Sequence, residues 1–120
     1  KPPHAQSKLV RCVKGTVLDV ALDLRKHSET YGNHETTILS GENKEQLFVP
    51  KGFAHGFVVL SESAIISYKV DNYYNPKSEG GIKWNDPFLN IDWKISNDKI
   101  LISEKDRNLP EFSNFSSPFL

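Results

Sequence analysis

Several absences narrow what this chain can be. One cysteine, Cys12, stands among 120 residues, so no internal disulfide can form. A disulfide-stapled secreted scaffold is thereby excluded, and the cytoplasm is the expected compartment. Methionine is missing altogether and the chain opens on Lys1. From these two facts the chain is expected to be the C-terminal part of a longer protein, with site residues upstream. Fifteen Lys and Arg balance fifteen Asp and Glu, for a formal net charge of zero. Neither the basic excess of a nucleic-acid binder nor an acidic tail is visible. The longest apolar runs are four or five residues, too short for a membrane helix or a signal-peptide core. No Walker loop, dinucleotide fingerprint, Gly-x-Ser-x-Gly or Cys–His pair occurs.

What is present is alternation. Leu18, Val20, Leu22 and Leu24 interleave with Asp19, Ala21, Asp23 and Arg25, a period of two that predicts a half-buried strand. Residues 8–13 form a strand before it, with Lys14-Gly15 as the turn between the two. Residues 36–39, 46–49, 56–61 and 64–70 read as further strands, and Ser61-Glu62-Ser63 as the tight turn of a hairpin. No ten-residue segment keeps a helical period, although Ser103 could cap a short helical turn. Many short strands in one 120-residue chain predict a single antiparallel sandwich or barrel. The final residues 111–120 mix Ser, Asn and Phe and form either a packed tail or a frayed one.

The segment Pro50-Lys51-Gly52-Phe53-Ala54-His55-Gly56-Phe57 carries the strongest chemical signal. Proline fixes φ and glycine allows the reversal after it. His55 is therefore expected at the mouth of a buried strand built from Phe57-Val58-Val59-Leu60, where small-molecule sites are often made. The spacing Pro-x-Gly-x-x-His matches the second metal motif of cupins. A metal site needs three or four ligands, yet His4, His27, His34 and His55 include no His-x-His pair. Metal binding by this chain's residues is therefore not expected. The competing reading of His55 is a turn histidine satisfied by backbone groups.

Three more residues invite attention. Tyr68 shares a strand face with Ile66 and Val70, and a phenol facing inward beside His55 can donate or accept a proton. It is otherwise a core tyrosine bonded to a carbonyl. Lys8 opens the first strand, where an ammonium either stabilises an oxyanion or is merely solvated. Asp106, in the charged run Ser103-Glu104-Lys105-Asp106-Arg107, either orients a histidine or belongs to a solvated turn. Tyr73-Tyr74 offers flat rings for a nucleobase or a plug over the sandwich end.

Taken together, several segments resemble the dTDP-4-dehydrorhamnose 3,5-epimerase family. They include residues 8–15, 19–25, 39–43 and 50–57, Tyr68-Lys69, Tyr73-Tyr74, Trp84-Asn85-Asp86-Pro87, Ile91-Asp92-Trp93 and 103–106. The match is collinear from about Pro3 to Pro110. It implies an all-β, antiparallel cupin-like jelly roll over residues 1–110, incomplete at its N-terminus, with 111–120 as a tail. It implies a cofactor-free and metal-free homodimer that inverts C3 and C5 of a dTDP-4-keto-6-deoxy sugar through an enolate, in dTDP-L-rhamnose biosynthesis. Nucleic acid and membrane are not implied partners. By the same resemblance Tyr68 is the proton donor, Lys8 the cation near the enolate oxygen and His55 a substrate-contacting histidine. Asp106 pairs with the catalytic base, Glu79 and Lys105 contact the nucleotide sugar, and Tyr74 lies near the thymine. The family's base is a histidine in an Arg-Gly-Leu-His motif, expected upstream of Lys1, so the isolated 120-residue chain is expected to be inactive. Ser28-Glu29-Thr30 departs from the usual proline between Ser and Thr. The alternatives are a narrower 3- or 5-epimerase of nucleotide 4-keto sugars, or a non-catalytic jelly roll that binds nucleotide sugar or scaffolds an assembly.

Overall fold

The computed structural model describes residues 5–72, 80–94, 102, 106, 108–115 and 117–119. Six strands are formed among them: β1 (Lys8–Lys14), β2 (Thr16–Asp23), β3 (His34–Ser40), β4 (Gln46–Val49), β5 (Phe53–Val59) and β6 (Ile65–Val70). They make two three-stranded sheets, ordered β4-β1-β6 and β3-β2-β5, and every pairing is antiparallel. The chain crosses repeatedly between the sheets, which is the organisation of a jelly roll.

A predicted turn and a predicted hairpin both fall at corners between the sheets. β1 and β2 lie in different sheets, so Lys14-Gly15 is a corner and not a hairpin turn. Gly15 has φ +84°, and a Cβ there would lie 2.2 Å from the Ser63 carbonyl oxygen. Both facts demand glycine. β5 and β6 are likewise in different sheets, so Ser61–Ser63 is a crossover and the predicted hairpin is absent. The Ser61 hydroxyl donates to the Ser63 carbonyl and accepts from the Thr16 amide, which brings the two corners together. Turn composition reports a reversal of the chain but not which strand it will pair with.

β2 also departs from expectation. Its two faces are both buried, so it is a central strand and not a half-buried one. Val17 pairs with Leu39 and Val59, and these meet Val10, Cys12 and Val49 between the sheets. The inner face of β2 is therefore Val17, Asp19, Ala21 and Asp23. The opposite face, Leu18, Val20 and Leu22, with Leu24 beyond it, is covered from outside. Leu89, Ile82, Ile91, Phe112, Phe115 and Phe119 pack on Leu22 and Leu24, and burying each such leucine stabilises the fold by about 1.5–3 kcal/mol.

Polar ties hold this outer layer in place. The Asp86 carboxylate accepts the amides of Phe88 and Leu89 through Oδ1 and that of Phe112 through Oδ2, at 2.9, 3.0 and 2.6 Å. The Ser117 hydroxyl donates to the Leu24 carbonyl. The described part of the C-terminal stretch, including a 3-10 turn at Phe112–Asn114, is thus packed onto the β3-β2-β5 sheet. No helix among the described residues is long and apolar enough to cross a membrane.

Candidate active site

His55 does not stand at the mouth of its strand. It is the third residue of β5, which starts at Phe53, earlier than the apolar run indicated. That run is also less buried than expected, with Phe57 and Leu60 exposed and Val58 and Val59 half-buried. Among the described residues β5 is a sheet edge, bonded to β2 alone, so its apolar residues lack one lateral neighbour there.

The turn before β5 is rigid for identifiable reasons. Gly52 has φ +92°, and a Cβ on it would meet Arg25 Cγ at 2.6 Å. Its carbonyl accepts the Leu24 amide at 2.9 Å. The Arg25 guanidinium lies 4.9 Å from the Phe53 ring centroid, a cation–π contact, and is itself held by Asp23. Asp23 Oδ1 accepts from the Arg25 amide and Nε at 2.9 and 3.0 Å, and Oδ2 accepts from Nη2 at 3.0 Å and from the Thr30 hydroxyl. Burial would push this carboxyl up. The Arg25 guanidinium, the Thr30 hydroxyl, the Arg25 amide and the Ser28 hydroxyl outweigh it and hold the carboxyl well below the usual carboxylate range.

Register decides what His55 faces. β5 pairs with β2 so that His55 lies opposite Ala21, with Asp19 two residues along on the same inner face. That diagonal is within reach of a long side chain. His55 Nε2 comes within 2.7 Å of Asp19 Oδ1, with the Asp19 side chain fully buried and that of His55 12% exposed. The separation is that of an ion contact, while the angles of a hydrogen bond are not met. Neither Asp19 oxygen nor Nε2 has another hydrogen-bond partner among the described residues.

From the opposite sheet come Lys8 and Tyr68. On β6, Tyr68 pairs with the buried Val10 and Val70 with Lys8. Both residues therefore belong to the inward register with Ile66, and the Lys8 Nζ lies 5.8 Å from the centroid of the Tyr68 ring. Tyr68 is 62% exposed, so it is not a closed-in core tyrosine. The entry to β1 is pinned next to it. Asp71 Oδ1 accepts the Ser7 amide at 2.8 Å, Gln6 Nε2 donates to the Asn72 carbonyl at 2.9 Å, and Lys51 Nζ lies 3.7 Å from Asp71 Oδ2. The Ser7 amide holds the Asp71 carboxyl below its ordinary value, with Lys51 adding to the effect.

The predicted residues thus fall into three groups. Lys8 and Tyr68 are in contact, and His55 shares the space between the sheets with them. Asp106 is helical and exposed, and residues 103–105 and 107 around it lie outside the described residues. Tyr74, Glu79 and Lys105 also lie outside them, as does His4. The residue that sequence reasoning passed over is Asp19. Its signal was available, because an aspartate inside a strand whose other positions are nearly all apolar needs a buried partner. No group of three or more His, Cys, Asp or Glu placed to hold a metal ion occurs among the described residues.

A jelly roll with imidazole, phenol and ammonium on its inner faces belongs to the cupin-like class. Within that class, the family model described as dTDP-4-dehydrorhamnose 3,5-epimerase matches residues 1–114, and the chain belongs to this family. It is similar to the dTDP-4-dehydrorhamnose 3,5-epimerase of Shigella flexneri, 52% identical over 110 residues, covering 92% of this chain and 60% of that protein. A crystal structure of the enzyme of that name from Elizabethkingia anophelis superposes with a TM-score of 0.93 at 58% identity, covering 94% of this chain and 62% of the other. The dTDP-6-deoxy-D-glucose-3,5-epimerase of Legionella pneumophila, solved in complex with dTDP-4-keto-L-rhamnose, gives 0.91 at 45% identity, covering 95% and 60%. The chain spans about 60% of the length of these relatives.

Proposed function

We propose that the protein carrying this chain is a dTDP-4-dehydrorhamnose 3,5-epimerase that inverts C3 and C5 of dTDP-4-keto-6-deoxyglucose. The observation that carries this reading is the meeting of Lys8 and Tyr68, 5.8 Å from ammonium to ring centroid, on the inner side of the sandwich that also holds His55. Both carbons are α to the C4 ketone, so loss of a proton from either gives an enolate. The Lys8 ammonium balances charge on the enolate oxygen, and the Tyr68 hydroxyl returns a proton from the face opposite the base. The base is a histidine contributed from outside this chain's 120 residues, with Asp106 as its carboxylate partner. His55 contacts the sugar, Tyr74 stacks near the thymine, and Glu79 and Lys105 hold the nucleotide sugar. The enzyme works as a cytoplasmic homodimer without cofactor.

The test follows solvent deuterium into C3 and C5 separately by NMR, using protein expressed from its complete reading frame. Incorporation at both carbons is expected. Tyr68→Phe is expected to lower turnover about 10²–10⁴-fold, the usual worth of a positioned acid. Incorporation at one carbon alone would indicate the narrower epimerase, and none at either would overturn the reading.

A further inference from the structure

We propose that Asp71 is a positioning residue: by accepting the Ser7 amide at the entry to β1, its carboxylate fixes the Lys8 ammonium against the Tyr68 ring. The inference deepens the epimerase reading and rests on it for its consequence in turnover.

Lys8 is the first residue of β1, and the ladder with β6 stops there, at the pairing of Lys8 with Val70. A strand end frays unless something tethers it. Continued at the same register, the ladder would set Ser7 opposite Asp71 and Gln6 opposite Asn72. Side chains make the bonds at those positions. Asp71 Oδ1 accepts the Ser7 amide at 2.8 Å, Gln6 Nε2 donates to the Asn72 carbonyl at 2.9 Å, and Asn72 Nδ2 donates to the Ala5 carbonyl at 3.2 Å. Together they carry the strand register one pleat beyond the strands themselves.

Of these bonds, the one to Asp71 lies next to Lys8 and has a charged acceptor. The Ser7 amide holds the Asp71 carboxyl below its ordinary value, and a bond to an ionised group is about twice as strong as one between neutral groups. Asp71 Oδ2 also meets Lys51 Nζ at 3.7 Å, but both side chains are about half exposed, and exposed ion pairs contribute little. The amide bond is therefore the anchor. Fixing the Ser7–Lys8 peptide fixes the direction in which Lys8 leaves the strand. Asp71 follows Tyr68 on the same chain, just past the end of β6, so one carboxylate ties the segment carrying the phenol to the segment carrying the ammonium. The contact of Nζ with the ring, 5.8 Å to the centroid, cannot by itself hold a flexible lysine stem. A reacting group displaced by about 1 Å can lose about 10²-fold in rate.

The experiment uses the protein expressed from its complete reading frame. In the unaltered protein, slow hydrogen exchange at the Ser7 amide is expected, with a nuclear Overhauser contact between the Lys8 ε-methylene and the Tyr68 ring. Exchange at Ser7 as fast as in an unstructured peptide overturns the proposal whatever the variants do. Asp71→Ala removes the acceptor. It is expected to free the Ser7 amide, erase the Lys8–Tyr68 contact and lower kcat for deuterium wash-in about 10–100-fold, with KM within about twofold. Asp71→Asn keeps an oxygen for the amide and discards the ion pair with Lys51, so its kcat should stay within about threefold of the unaltered protein. Equal losses in the two variants overturn the proposal, because the charge and not the amide bond would then matter. So does unchanged kcat in Asp71→Ala, or a fall with the Lys8–Tyr68 contact intact. If the unaltered protein exchanges no deuterium into substrate, it is the epimerase reading that falls, and the Ser7 exchange and the Lys8–Tyr68 contact still decide whether Asp71 positions Lys8.

Discussion

Asp19 and Asp23 invite comparison. Both are aspartates on the inner face of β2, four residues or two pleat repeats apart, and both are essentially inaccessible to solvent. Asp23 accepts from a guanidinium, a backbone amide and a hydroxyl. Asp19 has one imidazole edge and nothing else among the described residues. A carboxylate saturated by its own neighbours in sequence is a fastening. One that meets a single imidazole on the neighbouring strand ties β2 to β5 instead. Burial alone does not separate the two cases; the number and type of partners does.

Variants can break this contrast, and the largest effect is expected at Asp23. Asp23→Asn removes charge-assisted hydrogen bonds around Arg25 and Thr30, and should cost on the order of 2 kcal/mol in urea unfolding. The effect should depend on pH with a definite sign. The folded-state carboxyl is held below its unfolded value, so its contribution is full above the unfolded carboxyl pKa of about 3.9 and is lost as pH falls below it. The stability gap between unaltered protein and Asp23→Asn should therefore be wide at pH 6 and shrink at pH 3. A gap that widens on acidification would contradict the assignment.

A somewhat smaller loss is expected at Gly52, which leans on the same fastening. Gly52→Ala forces an L side chain into positive φ and against Arg25 Cγ, at a cost of about 1–2 kcal/mol. If its destabilisation adds to that of Asp23→Asn without coupling in a double-mutant cycle, Arg25 does not connect the two. The smallest effect on stability is expected at Asp19. Asp19→Asn removes a buried charge and keeps an oxygen that accepts from Nε2–H, so unfolding should change by less than about 1 kcal/mol. Stability measurements should thus separate the two aspartates, with the larger loss at Asp23. Equal losses of stability at both would remove the distinction.

Much of the molecule was legible beforehand. Gln46–Val49 coincides with its predicted range, and β1 and β6 differ from theirs by one residue. His55, Tyr68 and Lys8, singled out by residue type and position, all lie at inward register positions of their strands. The misjudged features share a cause. β2 reads as half-buried because alternation of leucine with aspartate looks like a wet face, yet the second sheet covers that face. β5 begins early because its ladder with β2 starts at Phe53 opposite Asp23, before its apolar residues begin. The Ser61–Ser63 reversal looks like a hairpin because local composition is the same whether the next strand pairs beside the last or crosses over.

The sequence by itself determined the kinds of element, the rigid turn before His55, and the chemical groups available, because these follow from φ preferences and side-chain chemistry within a few residues. Only the tertiary structure decided which face of β2 turns inward and which carboxylate meets the histidine. Those outcomes depend on register between strands far apart in the chain, and a slip of one residue would turn Asp19 to the opposite face.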